Sequence, residues 1–178
     1  MAYNPIDPRM RVNFSAGLNL STTFQKIDFA GTSSSNVNTF GVEPVSGNPM
    51  VWWDPTNKLF RFYQNNDTNF QVNLQIKTTS TLITTRATLQ YRFVVPNGGG
   101  VGVNTYFPFP DDGGYADFSE VTVLASGQNN SQNVINFFAG SAIRTNGCWL
   151  EMRLSNSLIT LGVCTLNSAA ITFLATGK

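Results

Sequence analysis

Between residues 69 and 95 the chain twice alternates apolar and polar residues with a period of two, and that pattern excludes most folds. In residues 69–77, Phe70, Val72, Leu74 and Ile76 fall on one side and Gln71, Asn73, Gln75 and Lys77 on the other. The second run sets Ala87, Leu89, Tyr91, Phe93 and Val95 against Arg86, Thr88, Gln90 and Arg92. Successive side chains of a strand point to opposite faces, so each run has one dry and one wet face. A helix would need apolar residues three and four apart, which neither run has. At about 3.3 Å per residue each strand runs roughly 30 Å. Two half-buried strands of that length require a second layer over their apolar face.

The remaining chain reads as strand, turn, strand. Apolar or alternating segments at 22–29, 37–42, 50–53, 58–63, 101–107, 118–125, 134–139, 148–154, 158–166 and 169–174 are predicted strands. They are separated by Gly-, Pro- and Asn-bearing turns such as Asp54-Pro55-Thr56-Asn57 and Asn97-Gly98-Gly99-Gly100. No stretch of ten or more residues carries a helical stripe, and no internal repeat is present. Many short strands at near-regular spacing indicate an all-β sandwich or barrel. A chain of 178 residues is one domain with a sizeable core.

Residues 1–20 differ from the rest of the chain. Pro5 and Pro8 lack the amide hydrogens of a central strand, Arg9 and Arg11 are charged, and no sustained apolar face is present. The expectation is a short extended N-terminal arm over 1–20, with the sandwich over 21–178. Val12 and Phe14 would enter pockets on a partner while Arg11 and Asn13 face away.

Composition narrows the chemistry. Charged residues are 12% of the chain, while Asn, Ser and Thr together make roughly 30%, well above ordinary usage. The formal net charge of +1 argues against a broad electrostatic footprint for nucleic acid or anionic membrane. Histidine is absent, which removes His-dependent triads and His-containing metal sites. Ten acidic residues lie mostly in turns, and no enzymatic activity or cofactor is expected. Asn97–Gly100 has the glycines of a phosphate loop without the following Lys-Ser/Thr. Asp111, Asp112, Asp117 and Glu120 form the densest acidic cluster, the one calcium candidate, although its spacing matches no EF-hand. No apolar stretch resembles a signal peptide or a membrane span, so the four Asn-x-Ser/Thr sequons read as chance.

Cys148 and Cys164 make neither a metal cluster nor a disulfide framework. A hairpin turning at Ser155-Asn156 in the register that keeps Leu150, Met152, Ile159 and Leu161 on one face leaves the two cysteines on opposite faces. Free thiols are expected. Trp52 and Trp53 are adjacent and so face opposite ways, one into the core and one toward a subunit interface or a sugar ring. Arg86 and Arg92 share a polar strand face, which is either solvated or used for an ion pair between subunits.

The order of these pieces carries a resemblance. Residues 51–77, VWWDPTNKLFRFYQNNDTNFQVNLQIK, and the closing AAITFLATGK resemble the jelly rolls of the tumour-necrosis-factor and complement-globular-head superfamily. In that fold an aromatic strand, a tight turn and an F-x-F strand lead into a long alternating strand, and the last strand is apolar and central. Similar small jelly rolls serve as decoration and fibre-head proteins of tailed phages. The resemblance implies a two-sheet antiparallel jelly roll assembling as a homotrimer, with Ile171 and Phe173 of the last strand at the subunit interface, where the outward-facing one of Trp52 and Trp53 would join them. It further implies a capsid decoration protein on the outer surface of the virion, partnered by the major capsid protein, with Arg9, Arg11, Val12 and Phe14 of the arm docking on the shell. The alternatives are a receptor-binding fibre head gripping host glycan through Trp52 or Trp53, and a cellular carbohydrate-binding module.

Overall fold

The computed structural model describes residues 9–14, 17–29, 37–40, 51–63, 67–81, 87–107, 119–123, 127–155 and 163–177. Its strands in chain order are β1 (Arg9–Phe14), β2 (Leu18–Asn19), β3 (Gln25–Lys26), β4 (Val37–Phe40), β5 (Val51–Asp54), β6 (Leu59–Phe62) and β7 (Thr68–Ser80). They continue with β8 (Ala87–Val95), β9 (Thr105–Phe107), β10 (Ser119–Val123), β11 (Gly127–Ala139), β12 (Trp149–Leu154) and β13 (Cys164–Gly177), and one helical turn and a half, α1 (Ser141–Asn146), precedes β12.

The strands form two facing sheets. One runs β11-β7-β13-β1-β4, with β2 continuing β1 alongside β13; the other runs β10-β8-β12-β3, with β9 continuing β10 alongside β8. The chain repeatedly changes sheet, and the last strand, β13, lies between β1 and β7, while β12 lies between β3 and β8. That interleaving of early and late strands is the strand order of a jelly roll. The β5–β6 hairpin is tied to the second sheet where Phe60 and Cys148 exchange backbone hydrogen bonds of 2.7 and 3.0 Å.

Strand β7 shows why the alternating text forms this layer. Thr68, Phe70, Val72, Leu74, Ile76, Thr78 and Ser80 are buried, and the residues between them face outward. Leu89, Tyr91, Phe93 and Val95 of β8 meet them from the other sheet. Phe173 sits among the rings of Phe60, Phe62, Phe70, Phe93 and Phe137, with centroids 5.0 to 6.4 Å away. Such offset and edge-on contacts add to the area each ring removes from water.

Three expectations change. The segment 9–14 is not an arm: β1 pairs antiparallel with β13 on one side and β4 on the other. Val12 and Phe14 are buried in the sandwich, because their alternation supplies the apolar face that an inner strand needs and the two prolines fall before it. The predicted strands at 158–166 and 169–174 are, in their described part, one fourteen-residue strand with a register shift between Leu166 and Ser168. Finally, β12 and β13 do not form a hairpin but belong to opposite sheets. The thiols are nonetheless free, as expected, and both are buried.

Candidate functional site

The tryptophans separate as adjacent strand residues must. Trp53 is 1% exposed and packs on Phe29 and Phe60 at 5.4 and 4.8 Å, which withdraws it from both the interface and the glycan readings. Trp52, opposite Arg61 on the outward side of the hairpin, is half-buried and remains a surface candidate. Ile171 and Phe173 are fully buried within one chain and cannot form a subunit interface. Their face of β13 is the core face; Thr172, Ala170 and Leu174 occupy the other.

Of the arm residues, Val12 and Phe14 are core. Arg11 is exposed on the outer face, with its Nε donating to Asn13 Oδ1 at 3.4 Å, and Arg9 takes its place in β1 opposite Leu174. Asp111, Asp112 and Asp117 lie outside the described residues, as does the side chain of Glu120, whose backbone is part of β10. Among the described residues no three acidic, Cys or His side chains gather as a metal site.

The outer faces of the two sheets differ in chemistry. On the β8–β12 face the described charged groups are engaged by groups of the same chain. Arg92 Nε donates to Glu151 at 2.9 Å, the Trp149 indole donates to the same carboxylate at 2.8 Å, and Arg153 Nε donates to Gln90 at 2.7 Å. The guanidiniums of Arg92 and Arg153 lie over the Phe24 ring, 3.8 and 4.2 Å from its centroid, and Lys26 covers Trp149 at 4.2 Å. Cation–π contact and partial burial make this a closed structural layer, so Arg92 finds its ion pair within the chain. Arg86 lies outside the described residues.

The β11–β7–β13–β1 face is instead almost free of charge. Gln71, Asn73, Gln75, Gln132, Asn136 and Thr172 dominate it, and Lys77 and Arg11 are its charges among the described side chains. Val134 and Phe138 stand out from it, 58% and 50% exposed. At one end, Asn69, Phe70, Asn136, Phe137, Phe138 and Thr176 line an open depression of about 380 Å³. Its lining offers amides, a hydroxyl and aromatic carbon, a set suited to contact and not to proton transfer or nucleophilic attack. Sequence reasoning missed this face because residues 127–133, GQNNSQN, have no apolar alternation to mark them as strand.

The two thiols add no chemistry. Burial raises the Cys148 pKa far above the ordinary thiol value, and burial also raises that of Cys164 against a hydrogen bond with Thr78. Neither supplies a thiolate near neutral pH.

No protein-family model matches the chain, and no curated protein matches it. Among solved structures it is similar to the PRD1 vertex protein P5, with a TM-score of 0.46 and 10% sequence identity over 95% of this chain and 73% of that one.

Proposed function

We propose that the chain is a non-enzymatic structural protein of a virus particle, a trimeric decoration protein that binds the outside of a tailed-phage capsid and stabilises it. The observation that carries this reading is the pairing of a jelly-roll strand order with a broad, amide-rich and almost uncharged outer sheet face. A surface of that kind loses little on desolvation compared with a charged one and offers donors and acceptors throughout, which suits extended contact with another protein. With β1 inside the sandwich, docking would pass to this face, with Arg11 at its margin, and the mechanism would be the interface area that must be broken before the shell opens. The alternative, a glycan-binding fibre head, would use Trp52 or the Phe138 depression, where a ring lies beside amides and a hydroxyl.

The test is reconstitution. Particles lacking the protein should regain resistance to heat or osmotic shock when purified protein is added back, with saturation at a fixed stoichiometry. Unchanged fragility, together with retention on a neutral-glycan surface, would replace decoration with receptor binding.

A further inference from the structure

The edges of the two sheets are unequal. In their described parts the edge strands other than β11 are short: β4 has four residues, β10 five, β9 three, and β2 and β3 two each. Short edges are a common protection against unwanted strand pairing. By contrast, β11 runs thirteen residues, pairs with β7 through thirteen consecutive positions without a register shift, and has no other strand neighbour among the described residues. Its sequence, GQNNSQNVINFFA, contains no Lys, Arg, Asp, Glu or Pro. Among the described residues β11 shows no charge, no proline, no bulge and no covering strand, the usual means of blunting an edge. Alternate backbone N–H and C=O groups of such a strand point away from its one neighbour and are set for another strand.

We propose that β11 is a self-association seam, pairing antiparallel with β11 of a second copy across a two-fold axis. The absence of charge selects the partner. Homotypic pairing brings a strand against its own sequence, where charges of one sign would repel, and a charged partner would find nothing complementary here. The exposed apolar residues set the register. Placing Val134 opposite Phe138 of the second copy buries both, puts Ile135 opposite Phe137, and leaves Asn136 on the axis facing itself. The depression bounded by Asn136 and Phe138 then lies beside the seam. This pairing stands independently of the virion reading, since it needs only two copies of the chain.

Directly opposed residues of an antiparallel pair have Cα atoms about 4.5–5.5 Å apart, within reach of a disulfide. Asn136→Cys should therefore cross-link to a covalent pair of chains under mild oxidant, and reductant should release it. Gln128→Cys, off the axis in this register, should not cross-link. The native thiols, 0% and 1% exposed, do not compete. As a second measurement, Val134→Lys should halve the sedimenting mass, separating two chains or, where each is part of a trimer, two joined trimers, without changing the circular dichroism spectrum. Equal cross-linking of the two cysteine variants, or a sedimenting mass unmoved by Val134→Lys, would overturn the proposal.

Discussion

Two residues show how single side chains, or their absence, hold the jelly roll's crossings. Gly147 follows α1 with φ of 72°, and its amide caps the helix by donating to Ile143 O at 2.7 Å. A Cβ there would stand 2.5 Å from Phe60 O, at the place where the hairpin joins β12. Only glycine fits, on grounds of both conformation and space. Asp54 closes the β5–β6 turn: Oδ1 accepts the amides of Thr56 and Asn57 at 3.0 Å each, and Oδ2 accepts from Asn57 Nδ2 at 2.7 Å and Arg61 Nε at 3.3 Å. Burial by itself would raise its pKa, but those hydrogen bonds together bring it below the ordinary carboxylate value. A lowered folded pKa means stability that is complete above the unfolded value of about 3.9 and is lost as pH falls through the folded one. Asp54→Ala should cost about 2–3 kcal/mol at pH 7, the range for hydrogen bonds to a charged group that leave partners unsatisfied. Urea unfolding should show that deficit shrinking as pH falls through the lowered folded value, where the wild-type carboxyl is protonated too. With no histidine in the chain, the wild-type melting temperature should stay level from about pH 8 to about pH 5.

At the scale of elements, the described structure separates what alternation can announce from what it cannot. Strand β7 was legible because Phe70, Val72, Leu74 and Ile76 mark its inner face, and the Asp54 turn because proline presets it. Strand β1 was not legible. Arg11 falls on its outer face, and Val12 and Phe14 are a short apolar signal that only the pairing partners β13 and β4 turn into core. Polar Asn129, Ser131 and Asn133 face inward in the first half of β11, so that half has no apolar signal at all; its register with β7 decides it. α1, at six residues, is too short to show a helical period. The change in status of β1 has a measurable consequence. Phe14→Ala should destabilise the protein by about 3–5 kcal/mol, the usual cost of emptying a buried phenylalanine site. Chemical denaturation measures this, and an unaltered midpoint would return the segment to the role of a detachable arm.

For the whole molecule, the same separation explains why fold was easier to read than site. The jelly roll arises from where apolar residues recur, and residues such as Trp53, Ile171 and Phe173 declare their burial without declaring which neighbour covers them. Ile171 and Phe173, assigned from resemblance to a subunit interface, prove to be core, and Trp53 is the member of the tryptophan pair that the core takes. Among the described residues the surfaces that stand out for partners are the amide-rich outer face and the uncharged edge of β11, neither of which has a motif, because contact surfaces of this kind need only neutrality, flatness and backbone. The opposite sheet shows the contrast, with Arg92, Arg153, Glu151 and Trp149 engaged with groups of their own chain. An associative role on a particle is the account that joins these features. Its most direct test is the number and location of copies on intact particles, by quantitative mass spectrometry and antibody labelling in the electron microscope. The account expects copies in numbers comparable with the major capsid protein, spread over the head. A handful confined to a tail or fibre tip, or none on the particle, would contradict it.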